Sequence, residues 1–418
     1  MGKAPLQMPN EPIPVLIVDD DPTVGTVLQG LLRNIGEGVR CAPKWVGTAA
    51  AALEHARTGE WTLMLLDYHL EDGDGLAVLD EVNRIPSAKR PSVVMLTGSG
   101  NEQVAVEAMK RGAKDYLAKA GVHLAELRRA ILSALERRLL EDRLAESTAE
   151  LRRKTEQLET DLTMARQVQQ ALLPSQYPSL PAGVPPERSL LRFHHRWIPS
   201  SAVAGDFFTV LPVSPTAAAV LLCDVMGHGV RAALVAALIH GLVRENRALA
   251  GEPDRFLTEI NRGLQALLAR SGDLVFVTAV YLVIDVARGE LRLANAGHPY
   301  PLLLRHEGAG AELRVGAEGC GPALGMLPGE EYAAASVPLS PGDRVFLFTD
   351  GLFEVIDILG EEFGTGRLRE AVTKHAGFAT PALLDAVLAA VREFGIRSSG
   401  FADDTCIIGI DFAPRNAS

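Results

Sequence analysis

The chain has four cysteines, Cys41, Cys223, Cys320 and Cys406, and none belongs to a CxxC pair. That excludes a zinc knuckle and gives no disulfide framework, so a reducing, cytoplasmic setting is expected. Long apolar runs are lacking too. The longest, 232–243, is interrupted by His240 and falls short of the ~20 residues that span a bilayer, so it reads as a buried helix and no membrane contact is expected. The first residues, MGKAPLQMPNEPIP, have neither an apolar core nor a cleavage pattern, so no leader is expected. Basic charge is scarce: 41 Lys and Arg against 52 Asp and Glu leave a net charge of −11. Without a basic face for phosphates, nucleic-acid binding is not expected. A GxxxxGK[ST] loop is missing, which argues against a nucleotide-hydrolysing output.

What remains is 418 residues that are 47% hydrophobic, enough for two or three domains. The pattern changes divide the chain into a tail at 1–12, an α/β domain at 13–136, a helical linker at 137–175 and a strand-rich α+β domain at 176–418. In the first domain, PVLIVDD, WTLMLLD, PSVVMLTG and KDYLAK read as buried strands between helical segments. Such alternation implies a doubly wound parallel sheet. Asp19 and Asp20 end its first strand, Asp67 the third, Thr97 the fourth and Lys119 the fifth. In an open parallel sheet these ends share one edge. Three carboxylates there need a cation, and oxygen ligation suits Mg²⁺. One carboxylate can then accept a phosphoryl group.

The residues 13–136 resemble a two-component receiver domain in the order and spacing of Asp19, Asp20, Asp67, Thr97, Tyr116 and Lys119. The resemblance implies that a sensor histidine kinase drives phosphorylation of Asp67. It also implies that Asp19, Asp20, Asp67 and the carbonyl of His69 hold Mg²⁺, that Thr97 and Lys119 read the phosphoryl group, and that Tyr116 is the switch aromatic. Glu71 and Ala120 stand where that family often has proline, and Ala120 argues against a cis bond after Lys119.

Between 123 and 173 the chain has almost no Gly and no Pro. Leu144, Leu151, Leu158, Ala165 and Leu172 recur every seven residues, with Thr148, Thr155 and Leu162 four residues on. This is a coiled-coil pattern, and a homodimer through it is expected; a long single helix packed on one of its own domains is the alternative.

Beyond the prolines of LPSQYPSLPAGVPPERS, carboxylates sit in apolar or glycine-rich settings: Asp206 in VAGDFF, Asp224 in CDVMGHG, Asp350 in FTDGLFE, and Asp403 and Asp404 in FADDTC. No Lys or Arg is adjacent, and buried unpaired carboxylates are very unfavourable. Gathered at one end of a sheet they call for metal, and oxygen-only ligands favour Mn²⁺ or Mg²⁺ over zinc. Two such ions can activate a water against phosphorus. The helix start near Gly229 favours an anionic substrate.

MARQVQQALLP, VAGDFF, DVMGHGVRAAL, NAGHPYPLLL, GPALG, TDGLFE and DDTC together resemble the metal-dependent Ser/Thr protein phosphatases of the SpoIIE type. The resemblance implies a β-sandwich flanked by helices and a two-metal site. Asp206, Asp224, Asp350 and Asp403 would be its side-chain ligands and Val225 a carbonyl ligand. Asp404 is the alternative to Asp403, or orients a bound water. It also implies a phosphorylated anti-sigma-factor antagonist as substrate. Ala204 and Cys406 depart slightly from the motifs, and Met226 stands where eukaryotic relatives have a general-acid histidine. His228 and His298 read as structural, Asn295 as a turn residue, and His194 and His195 as facing opposite sides of a strand. The competing reading is a degenerate phosphatase fold that binds a partner without catalysis.

Overall fold

The run Ile13–Val18 is apolar throughout, so both of its faces must be covered. Val15 and Ile17 pack with Leu28, Leu32, Leu127 and Ile131, while Leu16 and Val18 pack with Ala52, Leu79 and Val82. The computed structural model describes residues 11–36, 39–87, 89–98, 102–120, 122–269, 275–306, 310–314, 320–395 and 401–413. Of the expected tail at 1–12, residues 1–10 therefore lie outside the described residues. The chain forms two compact units, Met1–Thr155 and Glu156–Ser418.

The first unit runs β1 (Ile13–Val18), α1 (Pro22–Arg33), β2 (Cys41–Val46), α2 (Ala49–Thr58), β3 (Leu63–Asp67), a small hairpin of β4 (His69–Leu70) and β5 (Gly73–Asp74), α3 (Gly75–Arg84), β6 (Ser92–Thr97), α4 (Glu102–Lys110), β7 (Asp115–Ala118) and α5 (Leu124–Leu172). The main sheet has the order β2-β1-β3-β6-β7, all parallel, as the alternating pattern predicts. Strand β2, CAPKWV, gave no clear apolar signal. It lies at the sheet edge, where Pro43 and Lys44 are tolerated.

Helix α5 starts at Leu124, inside the expected first domain, because Leu127, Ala130, Ile131 and Ala134 fill that unit's core. Arg138 then donates to the carbonyls of Thr62 (3.1 Å) and Arg90 (2.9 Å), holding the next turn to the sheet's N-terminal edge. Further on, the heptad leucines are solvent-facing: Leu144 is 70% exposed, Leu151 66% and Leu158 59%. Thr148 and Thr155 bond back to the carbonyls four residues earlier, so their hydroxyls need no partner across a seam.

The second unit contains β8 (Leu191–Ile198), β9 (Phe207–Ser214), β10 (Ala217–Val225), α6 (Val230–Glu245), α7 (Pro253–Leu268), β11 (Val277–Asp285), β12 (Glu290–Ala296), β13 (Leu302–Leu304), β14 (Gly310–Glu312), β15 (Ala335–Pro338), β16 (Arg344–Phe348), α8 (Gly364–Lys374), α9 (Thr380–Phe394) and β17 (Thr405–Phe412). Two antiparallel sheets result, β15-β12-β11-β10-β9 and β14-β13-β16-β17-β8. Their inner faces share one core, in which Val220, Leu222 and Val280 meet Phe193, Leu347 and Ile408. The alternate residues of β10, Leu221, Cys223 and Val225, pack against Ile239 of α6 and Ile260 of α7. Phe346 and Ile407 pack against α8 and α9. Gly409 is needed in β17, because a Cβ there would lie 2.4 Å from Thr380 Cγ2 of α9. The layers are helix, sheet, sheet, helix, a β-sandwich flanked by helices.

Candidate functional sites

In the first unit, strand order brings β1, β3, β6 and β7 side by side, so the residues at their C-terminal ends converge. Asp19 is fully buried, and Asp67 and Thr97 are nearly so. Ligand oxygens of Asp19, Asp20 and Asp67 all lie within 4.8 Å of one another, and an oxygen-only trio of this kind fits a hard divalent cation. Lys119 Nζ stands 2.7 Å from Asp19 Oδ2 and 2.7 Å from Asp67 Oδ2. Burial raises the pKa of Asp67; Lys119 opposes the shift and Asp19 adds to it. The backbone is shaped to fit: the Lys119 N–H donates to the Thr97 carbonyl at 2.7 Å. A Cβ on Gly75 would meet the Asp67 carbonyl oxygen at 2.1 Å. Tyr116 is 47% exposed. Among the described residues the one cis peptide is Leu180–Pro181, so the bond after Lys119 is trans, as Ala120 leads one to expect.

In the second unit, antiparallel pairing sets the start of β9 beside the end of β10, with Phe207 opposite Cys223. In the other sheet it sets the end of β16 beside the start of β17, with Phe348 opposite Ile407. Asp206 precedes β9, Asp224 is the next-to-last residue of β10, Asp350 follows β16, and Asp403 and Asp404 precede β17. All five therefore belong to one end of the sandwich. Asp206 is buried and accepts a 2.7 Å hydrogen bond from Thr349 Oγ1, which ties the two sheets together. No three of these oxygens meet the 4.8 Å spacing of the first site, yet the carboxylates feel one another. Burial, then the charges of Asp350, Asp403, Asp404 and Glu354, push Asp224 up to about 8. Burial and then Asp224 raise Asp206; burial and then Asp403 raise Asp350. A site that pays so much to hold like charges fits a divalent cation.

The adjacent aspartates differ in their surroundings. Asp404 is buried and accepts three hydrogen bonds: Oδ1 accepts from Ser200 N (2.7 Å) and Ser200 Oγ (2.9 Å), and Oδ2 accepts from Gly205 N (2.6 Å). Asp403 is exposed, and Oδ1 accepts only from Asp404 N, at 2.7 Å, among its described bonds. Gly205 also lets the Val225 carbonyl come close, since a Cβ would lie 3.0 Å from that oxygen. Gly227 and Gly229 have φ of 83° and 84°, which side chains rarely adopt. They turn the chain from Asp224 into α6, whose start carries no side-chain cap.

Residues 214–413 match the family Stage II sporulation protein E (SpoIIE), and residues 15–132 match the response regulator receiver domain. The chain joins a receiver domain to a SpoIIE-type phosphatase domain. Protein IcfG of Synechocystis is 26% identical over 239 residues, 51% of this chain and 36% of that protein. Phosphoserine phosphatase RsbP of Bacillus subtilis is 29% identical over 156 residues, 37% of this chain and 38% of its own. The chain thus spans little more than a third of the length of these curated relatives. The SiaA PP2C domain of Pseudomonas aeruginosa shares the fold, with a TM-score of 0.52 and 23% identity over 62% of this chain and 98% of that one. No described helix is long and apolar enough to cross a membrane.

Sequence reasoning missed several residues at the phosphatase carboxylates. Thr349 was visible next to Asp350 but gave no sign of reaching Asp206. Gln169, in the MARQVQQ stretch, is buried and clamps the Ala204 backbone: its Oε1 accepts from Ala204 N at 2.9 Å, and its Nε2 donates to the Ala204 carbonyl at 2.5 Å. A Gln in a polar helix carries no signal for such a role. The histidines differ in their surroundings. His298 is buried, its Nδ1 2.8 Å from Thr278 Oγ1 and its backbone held both ways by the Asn295 side chain; burial pushes its pKa to about 3. His194 faces Asp411, while His195 faces Tyr177 and Phe208. His228 is exposed.

A pH dependence follows for the metal-free protein. The unfolded Asp224 loses its proton near 3.8, and the folded one keeps it to about 8. Between these values the unfolded chain binds fewer protons, so stability falls as pH rises. A divalent metal bound at these carboxylates would replace the protons. Saturating Mn²⁺ is expected to raise Tm by roughly 5–10 °C at pH 8, and by clearly less at pH 5. Thermal melts in EDTA and in Mn²⁺ at both pH values check this; an equal metal effect at the two pH values would contradict it.

Proposed function

We propose that the chain is a response regulator whose output is a Mn²⁺- or Mg²⁺-dependent phosphoserine/phosphothreonine protein phosphatase, controlled by phosphorylation of Asp67. The observation that carries this reading is the convergence of Asp206, Asp224, Asp350 and Asp403 at one end of the sandwich without a basic partner among their described contacts. Asp206, Asp224, Asp350 and Asp403 would hold two ions, with the Val225 carbonyl as a further ligand. Two bound ions supply charge neutralisation and an activated water for in-line attack on phosphorus. Asp404, already accepting from Ser200 and Gly205, is a positioning residue, fixing the segment that carries Asp206. Thr349 fixes the Asp206 carboxylate itself. The uncapped start of α6 offers N–H groups toward an anionic phosphate. Met226 cannot donate a proton, so the leaving alkoxide takes its proton from water.

In the receiver, Asp67 is the phosphate acceptor. Asp19, Asp20 and Asp67 would hold Mg²⁺ with the His69 carbonyl, Lys119 and Thr97 would contact the phosphoryl oxygens, and Tyr116 would respond. A sensor histidine kinase supplies the phosphoryl group. The substrate is a phosphorylated protein, for which an anti-sigma-factor antagonist is our candidate, and the protein works in the cytoplasm as a homodimer paired through α5. The name of RsbP, a phosphoserine phosphatase, supports the reaction class.

The test is hydrolysis of p-nitrophenyl phosphate and of a phosphoserine peptide by the full chain with Mn²⁺, with EDTA as control. Metal-dependent release of phosphate from both is the expected result. Calorimetric Mn²⁺ binding to these carboxylates without any hydrolysis would make the domain a non-catalytic adaptor instead.

A further inference from the structure

Beyond Asp350 the chain makes a short projecting hairpin. Its base is built into the phosphatase core: Val355 and Phe363 are buried, and the Phe363 N–H donates to the Val355 carbonyl at 2.9 Å. Ile356 bridges to Glu362 in antiparallel fashion. Its tip is fixed by Asp357, whose Oδ1 accepts from Leu359 N (2.8 Å) and Glu361 N (2.9 Å). The Asp357 N–H donates to the Glu361 carbonyl at 3.0 Å, and Gly360 supplies the left-handed turn at φ 82°. This ordered turn displays Ile358, 83% exposed, and Leu359, 82% exposed, the most exposed large apolar side chains among the described residues. The turn itself needs only its Asp and Gly. Two apolar side chains held out in water on a fixed turn stabilise nothing within the fold; such features mark interaction sites.

Two further observations name the occupant. The hairpin is continuous with the carboxylate cluster: it begins five residues after Asp350, and the Glu354 N–H donates to the Asp350 carbonyl at 2.9 Å. The apolar tip is also ringed by acid, from Asp357, Glu361 and Glu362. A partner that seats on it must bring apolar surface and positive charge together.

We propose that the hairpin at 355–363 is a docking finger for the protein substrate, selecting phosphoserine or phosphothreonine segments that carry apolar and basic residues beside the phosphorylated position. This rests on the phosphatase reading above, and the test separates the two. Three phosphoserine peptides of equal length are compared with the full chain and Mn²⁺: one with Leu and Arg flanks, one with Leu and Glu, and one with Gly and Ser. Wild type is expected to hydrolyse the Leu/Arg peptide at least tenfold more efficiently in kcat/KM than either of the others. The variant Ile358→Ser with Leu359→Ser, and separately Glu361→Gln, should lose most of that preference. Hydrolysis of p-nitrophenyl phosphate, which is too small to reach the finger, should stay within twofold. Serine suits an exposed turn, and a melting curve for each variant verifies folding. Equal kcat/KM on the three peptides in wild type, or an unchanged preference in the serine variant, overturns the finger while leaving the phosphatase reading intact. Parallel loss on p-nitrophenyl phosphate would also overturn it, placing the hairpin in the shape of the site. A change of oligomeric state in the serine variant, read by light scattering, would assign the tip to contact between copies and overturn it too. No hydrolysis of any substrate by wild type would instead remove the phosphatase reading on which the proposal stands.

Discussion

Asp224→Asn and Asp350→Asn are each expected to lower kcat/KM for p-nitrophenyl phosphate at least about 100-fold, roughly 3 kcal/mol of transition-state stabilisation. Both keep the shape of the side chain and remove one charge from a cluster where, in the proposed site, charge would hold the ions. The same variants should gain in another measurement. Asp224 sits where burial and four neighbouring carboxylates disfavour its ionised form, so the neutral amide relieves that cost, and Asp224→Asn should melt higher than wild type in EDTA at pH 8. Lost activity with raised metal-free stability is the signature of a carboxylate kept for metal. A variant that stays active in Mn²⁺, or that melts lower in EDTA, would contradict the assignment. Phosphorylation of the receiver by a small phosphodonor should be unaffected, because Asp19, Asp20 and Asp67 belong to the other unit.

The convergence of the carboxylates was legible because each ends or begins an apolar strand. An Asp after VLLC or VFLFT can only be at the rim of a sheet, and the antiparallel register then brings Asp206 beside Asp224 and Asp350 beside the start of β17, which Asp403 and Asp404 precede. What the sequence hid is pairing across sheets. Nothing in FTDG says that Thr349 reaches Asp206, and nothing in FADD says which aspartate is turned inward. That choice depends on Gly351, where a Cβ would lie 2.1 Å from the Asp404 carbonyl oxygen, and on Ser200, whose backbone and hydroxyl take up Asp404 Oδ1. The strand β2 and the helix α8 were likewise hidden, the first by its edge position and Pro43, the second by the glycines at its start. Helical periodicity does not change where a helix leaves one core, and only the burial of Leu127 and Ile131 marks which turns of α5 belong to the receiver.

Phosphodonor is expected to change the phosphatase rate of the full chain by roughly 5- to 150-fold, the usual range of an allosteric coupling, and Asp67→Ala should abolish that change while leaving metal-dependent hydrolysis in place. The argument runs through α5. Its first turns fill the receiver core and Arg138 holds the next turn to the sheet edge. Its last turns carry Gln169, which grips both polar atoms of the Ala204 backbone two residues before Asp206. A helix fastened at both ends can bias a carboxylate site only if it has two arrangements. The exposed leucines would supply the means if, as proposed, Leu151 and Leu158, at 66% and 59% exposure, pair with the same helix of a second copy. On a lone helix, replacing such side chains costs little. The double variant Leu151→Asp with Leu158→Asp should therefore fold normally, turn monomeric in light scattering, and lose the phosphodonor response together with Asp67→Ala. Should it remain a dimer and still respond, pairing through α5 is not the route. Should Gln169→Ala alone remove the response while the protein stays dimeric, the coupling resides in the grip on Ala204, at the end of the helix rather than along it.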